Sequence, residues 1–229
     1  MKTTLILGAN RGIGLGLVAE FLSRDWTVHA TARDLAAASD LAALRDAHEG
    51  RLILHTADVV DESSVTRLAA ELDGIPLDLL IHNAGVYGPR MNDIEEVDSE
   101  EWMRVLRINT VAPYQCLRLL RPRLAHGGAV GFLTSRMGSL ADNTSGGSYV
   151  YRSSKAGLNA VIKSLSVNLA TDRIAVAALH PGWVATDMGG ASAPLDVATS
   201  ARGLADVMTK LTLEQTGCFV DWSGASIPW

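Results

Sequence analysis

Cysteine is scarce in this sequence. The chain carries two, Cys116 and Cys218, and neither has other ligand-type residues around it at metal-binding spacing. A chain with so few thiols does not depend on a disulfide framework, and its thiols are predicted to be free, as is typical of a reducing compartment. We therefore expect a cytoplasmic protein.

Long apolar runs and an excess of basic charge are also missing. No segment approaches the roughly 20 apolar residues needed to cross a bilayer, and the apolar run at 5–7 is too short for the core of a signal peptide. The 25 Asp and Glu residues outnumber the 20 Lys and Arg residues and give a net charge of −5, whereas nucleic-acid-binding proteins usually present a basic face. The six histidines show no ligand spacing. These features argue against membrane, nucleic-acid and metal partners.

What the sequence does contain is a repeated alternation of short apolar runs and longer segments with helical spacing. The runs are continuous in apolar residues, as expected of strands covered by helices on both faces. This alternation predicts an α/β fold, with a doubly wound parallel sheet of about seven strands in a three-layer αβα arrangement, in one domain over residues 1–229. The predicted strands are 3–8, 26–32, 51–57, 77–85, 128–135, 174–182 and 217–222. The predicted helices are 13–24, 35–48, 61–72, 99–123, 148–171 and 197–209.

The first predicted strand leads into three glycines, Gly8, Gly12 and Gly14, immediately before a helix. Glycines at such a turn let the backbone approach a pyrophosphate, which then lies at the helix N-terminus. A tight strand–helix turn that requires positive φ is the alternative explanation. Arg11 favours the first explanation, because a cation at a helix N-terminus is unfavourable unless an anion lies beside it.

Two residues after the second strand bear on which nucleotide is bound. An acidic residue about 20 positions after the glycines would bind the ribose of NAD(H), and Asp34 is near that distance. The strand tip itself is Ala32, followed by Arg33. A 2′-phosphate between Arg11 and Arg33 would use both guanidinium groups. NADP(H) is therefore favoured over NAD(H).

A set of motifs that runs in order through nearly the whole chain resembles the short-chain dehydrogenase/reductase family. The motifs are the glycine turn, Asp58, HNAG at 82–85, Asn109, Ser135, Tyr151-x-x-x-Lys155 and HPGWVATD at 180–187. The region 135–159 and the closing SGASIPW resemble the subgroup of C-factor and sniffer-type carbonyl reductases. The resemblance implies a Rossmann-type fold and an oxidoreductase that uses NAD(P). His82 and Leu7 depart from the residues common in the family, Asn and Thr, but both belong to the scaffold around the cofactor.

The resemblance also implies cofactor-binding roles. Asp58 would bond the adenine amino group, residues 83–85 would line the cofactor floor, and the segment after the sixth strand would flank the nicotinamide. The predicted cofactor-binding residues are Gly8, Asn10, Arg11, Gly12, Ile13, Gly14, Arg33, Asp58, Val59, Asn83, Ala84, Gly85, Tyr151, Lys155, Pro181, Gly182, Val184 and Thr186.

Two tyrosines precede Lys155, and helical geometry distinguishes them. Tyr151 is four residues from Lys155, so a helix places both on one face, whereas Tyr149 points elsewhere. An ammonium near a phenol favours the phenolate, and we expect it to lower the pKa of Tyr151 from its usual value of about 10. Tyr151 is therefore predicted to give a proton to a substrate carbonyl oxygen as hydride arrives from the nicotinamide.

A second hydroxyl is needed to hold the carbonyl oxygen, and two serines are candidates. Ser135 follows a strand at the carboxyl edge of the sheet, where doubly wound sheets bind ligands. Ser139 is the alternative. By the resemblance, Asn109 would bind a water that relays protons to Lys155, which completes a predicted catalytic set of Ser135, Asn109, Tyr151 and Lys155.

Together these features predict an NADPH-dependent oxidoreductase that reversibly reduces an aldehyde, ketone or quinone to an alcohol. An NADP(H)-binding regulatory protein with little turnover is the alternative. The resemblance implies a homodimer or homotetramer formed through the helices around Asn109 and Lys155. Four residues are candidates either for the substrate cavity or for the core: Tyr87, Met91, Trp183 and Met188.

Overall fold

The computed structural model describes residues 1–90 and 97–229. In these residues seven strands are interspersed with seven α-helices, two of which lie between the fourth and fifth strands. The strands are β1 (Thr3–Leu7), β2 (Thr27–Ala32), β3 (Leu52–Thr56), β4 (Leu77–His82), β5 (Leu124–Leu133), β6 (Ala175–His180) and β7 (Cys218–Asp221). The helices are α1 (Gly12–Ser23), α2 (Ser39–Ala47), α3 (Glu62–Glu71), α4 (Ser99–Leu106), α5 (Ala112–Leu120), α6 (Tyr149–Leu169) and α7 (Val197–Lys210).

All seven strands pair in parallel in one sheet of order β3-β2-β1-β4-β5-β6-β7. The order reverses direction between β1 and β4, which makes the sheet doubly wound. In such sheets the crevice outside the carboxyl ends of the strands at the reversal is the usual ligand site. The predicted fold class is confirmed, and the reversal places the glycine turn after β1 beside the HNAG segment after β4.

The sheet separates two apolar layers, because successive side chains of a strand point to opposite faces. Along β1, Ile6 faces the layer formed with α1, α2 and α7, while Leu5 and Leu7 face the layer formed with α3, α5 and α6. All three side chains are fully buried. This two-sided burial explains why the strand sequences are continuous rather than alternating in apolar residues. Both cysteines are unpaired.

The predicted helix at 99–123 is interrupted in the structure. A π-helical turn, Arg107–Val111, separates α4 from α5, and a 3₁₀ turn follows at Arg121–Arg123. Pro113 is the second residue of α5 and has no N–H to donate to the carbonyl of Asn109, four residues earlier in the chain. The break therefore falls at a predicted catalytic residue and leaves its backbone carbonyl without the usual α-helical donor.

Among the helices that the structure describes, none is both long enough and apolar enough to cross a membrane.

Candidate active site

The glycine turn after β1 is held against the segment after β4 at distances that only glycine allows. A Cβ on Gly14 would lie 2.2 Å from the carbonyl oxygen of Gly8 and 2.6 Å from Nδ2 of Asn83. Nδ2 of Asn83 donates a hydrogen bond of 2.5 Å to that same carbonyl oxygen. Gly8 has φ of +78° and would place its own Cβ 2.8 Å from the Cβ of Ala84. Gly8 and Gly14 are thus required as glycine by the packing itself, and Asn83 fixes the turn through its hydrogen bond.

Arg11 precedes α1 and forms an ion pair that the sequence did not suggest. Its Nη1 lies 2.5 Å from Oδ2 of Asp187, in the segment after β6. The next residue, Gly12, would place a Cβ 3.4 Å from Cγ2 of Thr186. Residues 186–187 therefore lie directly against the glycine turn. Both partners of the ion pair are exposed, so its contribution to stability is small.

The two residues that bear on nucleotide choice have different surroundings. Oδ1 of Asp34 accepts hydrogen bonds from the backbone N–H groups of Ala36, at 2.9 Å, and Ala37, at 3.4 Å. The exposed Arg33 forms no hydrogen bond or ion pair with the part of the chain that the structure describes. Asp34 thus acts as a local turn residue, whereas the guanidinium of Arg33 remains available to an anion.

The other predicted cofactor residues lie on the same edge of the sheet, beyond the carboxyl ends of β1, β3, β4 and β6. Oδ1 of Asp58 accepts a hydrogen bond of 3.1 Å from the N–H of Val60, which fixes the turn after β3. The carbonyl oxygen of Pro181 accepts a hydrogen bond of 2.7 Å from the hydroxyl of Ser200 on α7. The residues that follow these four strands are Asn10, Ile13, Val59, Gly85, Gly182, Val184 and Thr186. The fold therefore places these residues along one edge of the sheet.

Tyr151 and Lys155 lie one turn apart on α6, and both are buried. Nζ of Lys155 is 5.8 Å from the centre of the Tyr151 ring and donates a hydrogen bond of 3.0 Å to the carbonyl oxygen of Leu133, at the end of β5. A Cβ on Gly85 would be 3.4 Å from Nζ and 3.2 Å from Oδ1 of Asn109. Lys155 is thus bonded to the end of β5, and Gly85 lies close to both Lys155 and Asn109.

Burial controls the pKa values of this pair. It raises the pKa of Tyr151 to about 12, although the nearby Ser135 hydroxyl acts in the opposite direction. Burial also lowers the pKa of Lys155 to about 8. The expected lowering of the Tyr151 pKa is therefore wrong for the protein alone, because the removal of the phenolate from water is the largest influence and raises the pKa. At neutral pH Tyr151 is a neutral phenol, which is the protonation state that a proton donor requires.

The structure distinguishes the two candidate serines. Ser135 is buried, begins a 3₁₀ turn and accepts a hydrogen bond of 3.2 Å from the N–H of Met137. Ser139 donates to the carbonyl oxygen of Pro228, at 2.6 Å, and accepts from the N–H of Asp142. The hydroxyl of Ser139 is thus fully used in holding the segment around Pro228, whereas the Ser135 hydroxyl is near enough to Tyr151 to act on its pKa.

The Asn109 side chain is saturated by protein groups. Its Nδ2 donates to the carbonyl oxygen of Val86, at 2.7 Å, and to Oγ of Ser154, at 2.9 Å. Its Oδ1 accepts a hydrogen bond of 2.9 Å from the N–H of Val86. The side chain therefore has no free donor, whereas the backbone carbonyl at the π-helical break lacks its α-helical donor and can accept a hydrogen bond from water.

An aromatic stack beside Tyr151 was not foreseen. The Tyr87 ring lies 4.4 Å from the Tyr151 ring, at an interplanar angle of 15°. The guanidinium of Arg90 lies 4.7 Å from the centre of the Tyr87 ring, and its Nη2 donates to the carbonyl oxygen of Met188. Since Tyr151 covers one face of Tyr87, Arg90 must use the other. No spacing rule in the sequence connects these residues.

The remaining candidates for a substrate cavity differ in position. Trp183 and Met188 are 56% and 40% exposed, respectively, in the segment after β6, and are not core residues. Nε1 of Trp183 donates to the carbonyl oxygen of Gly189. Met91 lies outside the described residues. Tyr87 thus contacts Tyr151 directly, and Met188 is joined to Tyr87 through Arg90.

Comparisons with known proteins identify the family to which this fold and these site residues belong. A family model described as short chain dehydrogenase matches residues 2–194. The C-signal protein of Myxococcus xanthus is 43% identical over 156 residues, which cover 67% of this chain and 93% of the relative.

Solved structures match over the full length. The carbonyl reductase Sniffer of D. melanogaster has a TM-score of 0.94 and 36% identity, with 100% of both chains covered. A carbonyl reductase from Pseudomonas aeruginosa PAO1, solved in complex with NADP, has a TM-score of 0.92 and 38% identity, again with 100% of both chains covered. These similarities cover both the crevice and the segment that carries Ser135 and Tyr151.

Proposed function

Because this chain belongs to the short-chain dehydrogenase/reductase family, we propose that it is an NADPH-dependent carbonyl reductase. The observation that carries the proposal is the buried group of Tyr151, Ser135 and Lys155 at the carboxyl edge of the sheet. The substrate would be an aldehyde, ketone or quinone, reduced to an alcohol in a reversible reaction. Two unpaired cysteines favour the reducing environment of the cytoplasm as its location.

The chemistry divides between the cofactor and the protein. NADPH, when bound along the crevice, supplies the hydride that forms the new C–H bond at the carbonyl carbon. The Ser135 hydroxyl would hold the carbonyl oxygen, and the neutral phenol of Tyr151 would donate its proton to that oxygen, so that the π bond of the carbonyl breaks as the O–H bond forms. Lys155, still largely cationic at neutral pH because its pKa is about 8, would stabilise the phenolate left behind.

The crevice suits a dinucleotide. Gly8 and Gly14 keep the floor free of side-chain atoms where a Cβ would collide, and the α1 N-terminus offers backbone N–H groups to a pyrophosphate. Arg33 is exposed and unengaged by described residues, whereas Asp34 is used in a local turn. This difference supports NADP(H) over NAD(H), since a guanidinium suits a 2′-phosphate. The solved structure with NADP is consistent with the same choice.

Replacement of Asp187 by Asn should strengthen NADPH binding. In the protein alone Asp187 neutralises Arg11, so its removal leaves a guanidinium free for the cofactor phosphates. Exposed ion pairs are weak, and we expect the Kd for NADPH to fall roughly two- to fivefold. Nicotinamide fluorescence measures the Kd. The matched control is Asp172→Asn, which breaks the exposed Arg121–Asp172 pair away from the crevice; equal effects of both variants would contradict the prediction.

Titration with NADPH and NADH, followed by a panel of carbonyl compounds, tests the proposed function. Tighter binding of NADPH and its oxidation by some carbonyl compound are the expected results. Preferential binding of NADH would contradict the cofactor choice and would assign the ribose to Asp34 rather than Arg33. Tight NADPH binding without turnover on a broad panel would overturn the reductase and favour the NADP(H)-binding regulatory protein.

We also propose that the chain forms a homodimer or homotetramer through α5 and α6. A cavity of about 310 Å³ between these helices is lined by side chains of both, and Val167 nearby is 66% exposed. Its lining residues are Tyr114, Ala160, Val161, Ser164, Leu165 and Asn168. Apolar exposure of this kind is typical of a surface that a partner covers.

Light scattering tests this assembly. We expect a mass well above that of one chain, and a mass near 24.3 kDa would refute it. The variant Ala160→Arg, which places a long cation in the cavity between α5 and α6, should reduce the mass to that of a single chain. Ala70→Arg, at an exposed position on α3, is the control and should leave the mass unchanged.

A further inference from the structure

Asn159 is a buried polar residue on α6, one turn after Lys155 and two turns after Tyr151. Its side chain makes two hydrogen bonds, both to the segment that contains Ser135. Oδ1 accepts a bond of 2.7 Å from the hydroxyl of Thr134, and Nδ2 donates a bond of 3.1 Å to the carbonyl oxygen of Gly138. One amide thus binds the residue before Ser135 and the turn that follows it.

The same segment contacts α6 very closely at Gly138. A Cβ on Gly138 would lie 2.8 Å from the carbonyl carbon of Lys155 and 2.9 Å from its Cβ. Arg152 adds a longer bond of 3.3 Å to the carbonyl oxygen of Met137. Thr134 is itself buried, so neither its hydroxyl nor the Asn159 amide can exchange its partner for bulk water at low cost.

Ser135 and Tyr151 come from different elements. Tyr151 is fixed by α6, whereas Ser135 lies in a short turn beyond β5, and the relation between their hydroxyls depends on how that turn is held to the helix. The reaction rate is sensitive to how these hydroxyls are aligned, since a misplacement of about 1 Å can lower the rate on the order of 100-fold.

We propose that Asn159 is a positioning residue, which holds both flanks of Ser135 on the helix that carries Tyr151 and thereby aligns the two hydroxyls on the carbonyl oxygen. The inference rests on the proposed function. It assigns Asn159 no contact with substrate or cofactor; its effect on the reaction passes through Ser135.

A double-mutant cycle with Ser135→Ala distinguishes this role from a general structural one. Asn159→Ala should lower kcat for carbonyl reduction roughly 10- to 100-fold and leave the Kd for NADPH nearly unchanged. In the Ser135→Ala background the same change should cost less than about twofold, because residues that act through one another are strongly non-additive. Equal losses in the two backgrounds would overturn the proposal.

Thr134 offers a milder pair of variants should Asn159→Ala fold poorly. Thr134→Ser keeps the hydroxyl that bonds Oδ1 of Asn159 and should retain wild-type kcat. Thr134→Val has similar size but lacks the hydroxyl and should reproduce the loss. Ser166→Ala is the control, since Ser166 is a buried, hydrogen-bonded residue of the same helix far along from Tyr151 and should leave kcat unchanged. Equal activity of the two Thr134 variants would contradict the proposal.

Crystal structures of wild-type protein and Asn159→Ala supply a readout that does not need turnover. We expect residues 134–138 to shift relative to α6 in the variant, with the Ser135 hydroxyl displaced from that of Tyr151. An unchanged segment would overturn the positioning role even if the protein proved not to be a reductase. Failure of the wild-type protein to reduce any carbonyl compound would instead count against the proposed function alone.

Discussion

Replacement of Tyr151 by Phe is expected to reduce NADPH-dependent carbonyl reduction by a factor of about 100 to 10,000, the usual contribution of a positioned general acid. The variant keeps the ring that stacks on Tyr87 and removes only the hydroxyl. Since burial keeps that hydroxyl protonated, with a pKa of about 12, it is the group beside Ser135 suited to donate a proton at neutral pH. Initial rates of NADPH oxidation measure the loss.

Two measurements separate loss of the acid from general damage. Nicotinamide fluorescence should give the same Kd for NADPH in wild-type protein and Tyr151→Phe. Tyr149→Phe is the matched control, because Tyr149 begins the same helix but is 37% exposed; we expect it to retain most of the activity. Full activity of Tyr151→Phe, or equal losses in both variants, would contradict the assigned role of Tyr151.

The fold was largely predictable because each strand and helix has its own pattern of apolar residues within a short stretch of sequence. Most strands contain a short continuous apolar run, and in β1 four of the five residues are buried. The exception is the segment predicted as one helix at 99–123. Pro113 lies in this segment, but the π-helical turn forms two to six residues before it, where Asn109 bonds Val86 and Ser154. The helical spacing of apolar residues does not predict contacts between residues so far apart in the sequence.

The candidate site was predictable where backbone geometry selects a residue type. Gly8 and Gly14 belong to that class, since a Cβ at either position collides with neighbouring atoms. The pairing of Arg11 with Asp187 joins residues 176 positions apart, and the Asn159 bonds to the Ser135 segment join α6 to a turn. Such pairs depend on how the loops are arranged in the folded protein. The sequence around one residue of a pair does not predict which residue it will contact.

The lowered pKa values of three histidines, of which His29 and His82 are buried and His180 is half-buried, make a steep loss of stability in acid the other large expected effect. Burial lowers the pKa of His29 to about 4, of His82 to about 3 and of His180 to about 4. Charges nearby contribute in the same direction, from His55 to His29 and from Lys155 to His82. Nε2 of His82 has no hydrogen-bond partner among the described residues, so a proton gained there would leave a buried charge without compensation.

The direction of the effect follows from proton linkage. The unfolded chain protonates each histidine near its ordinary pKa of 6.5, whereas the folded protein keeps all three neutral down to about pH 4. The stabilisation is therefore complete above pH 6.5 and is lost as the pH falls from 6.5 toward 4, by about 1.4 kcal/mol per pH unit for each histidine. The three histidines together lower the free energy of unfolding by about 4 kcal/mol per pH unit. Because domains are stable by only about 5–15 kcal/mol, we expect acid unfolding within this window.

Urea unfolding at a series of pH values between 7.5 and 4.5, chosen to cover about two units below the ordinary histidine pKa, measures the slope. His82→Asn is the informative variant, because it removes one of the three titrating groups and introduces the residue common at this position in the family. Its slope should be shallower than that of the wild-type protein by about 1.4 kcal/mol per pH unit. The control is the same substitution at His126, which is exposed near the start of β5. Parallel slopes for wild-type protein and His82→Asn would show that the buried imidazole does not drive acid unfolding.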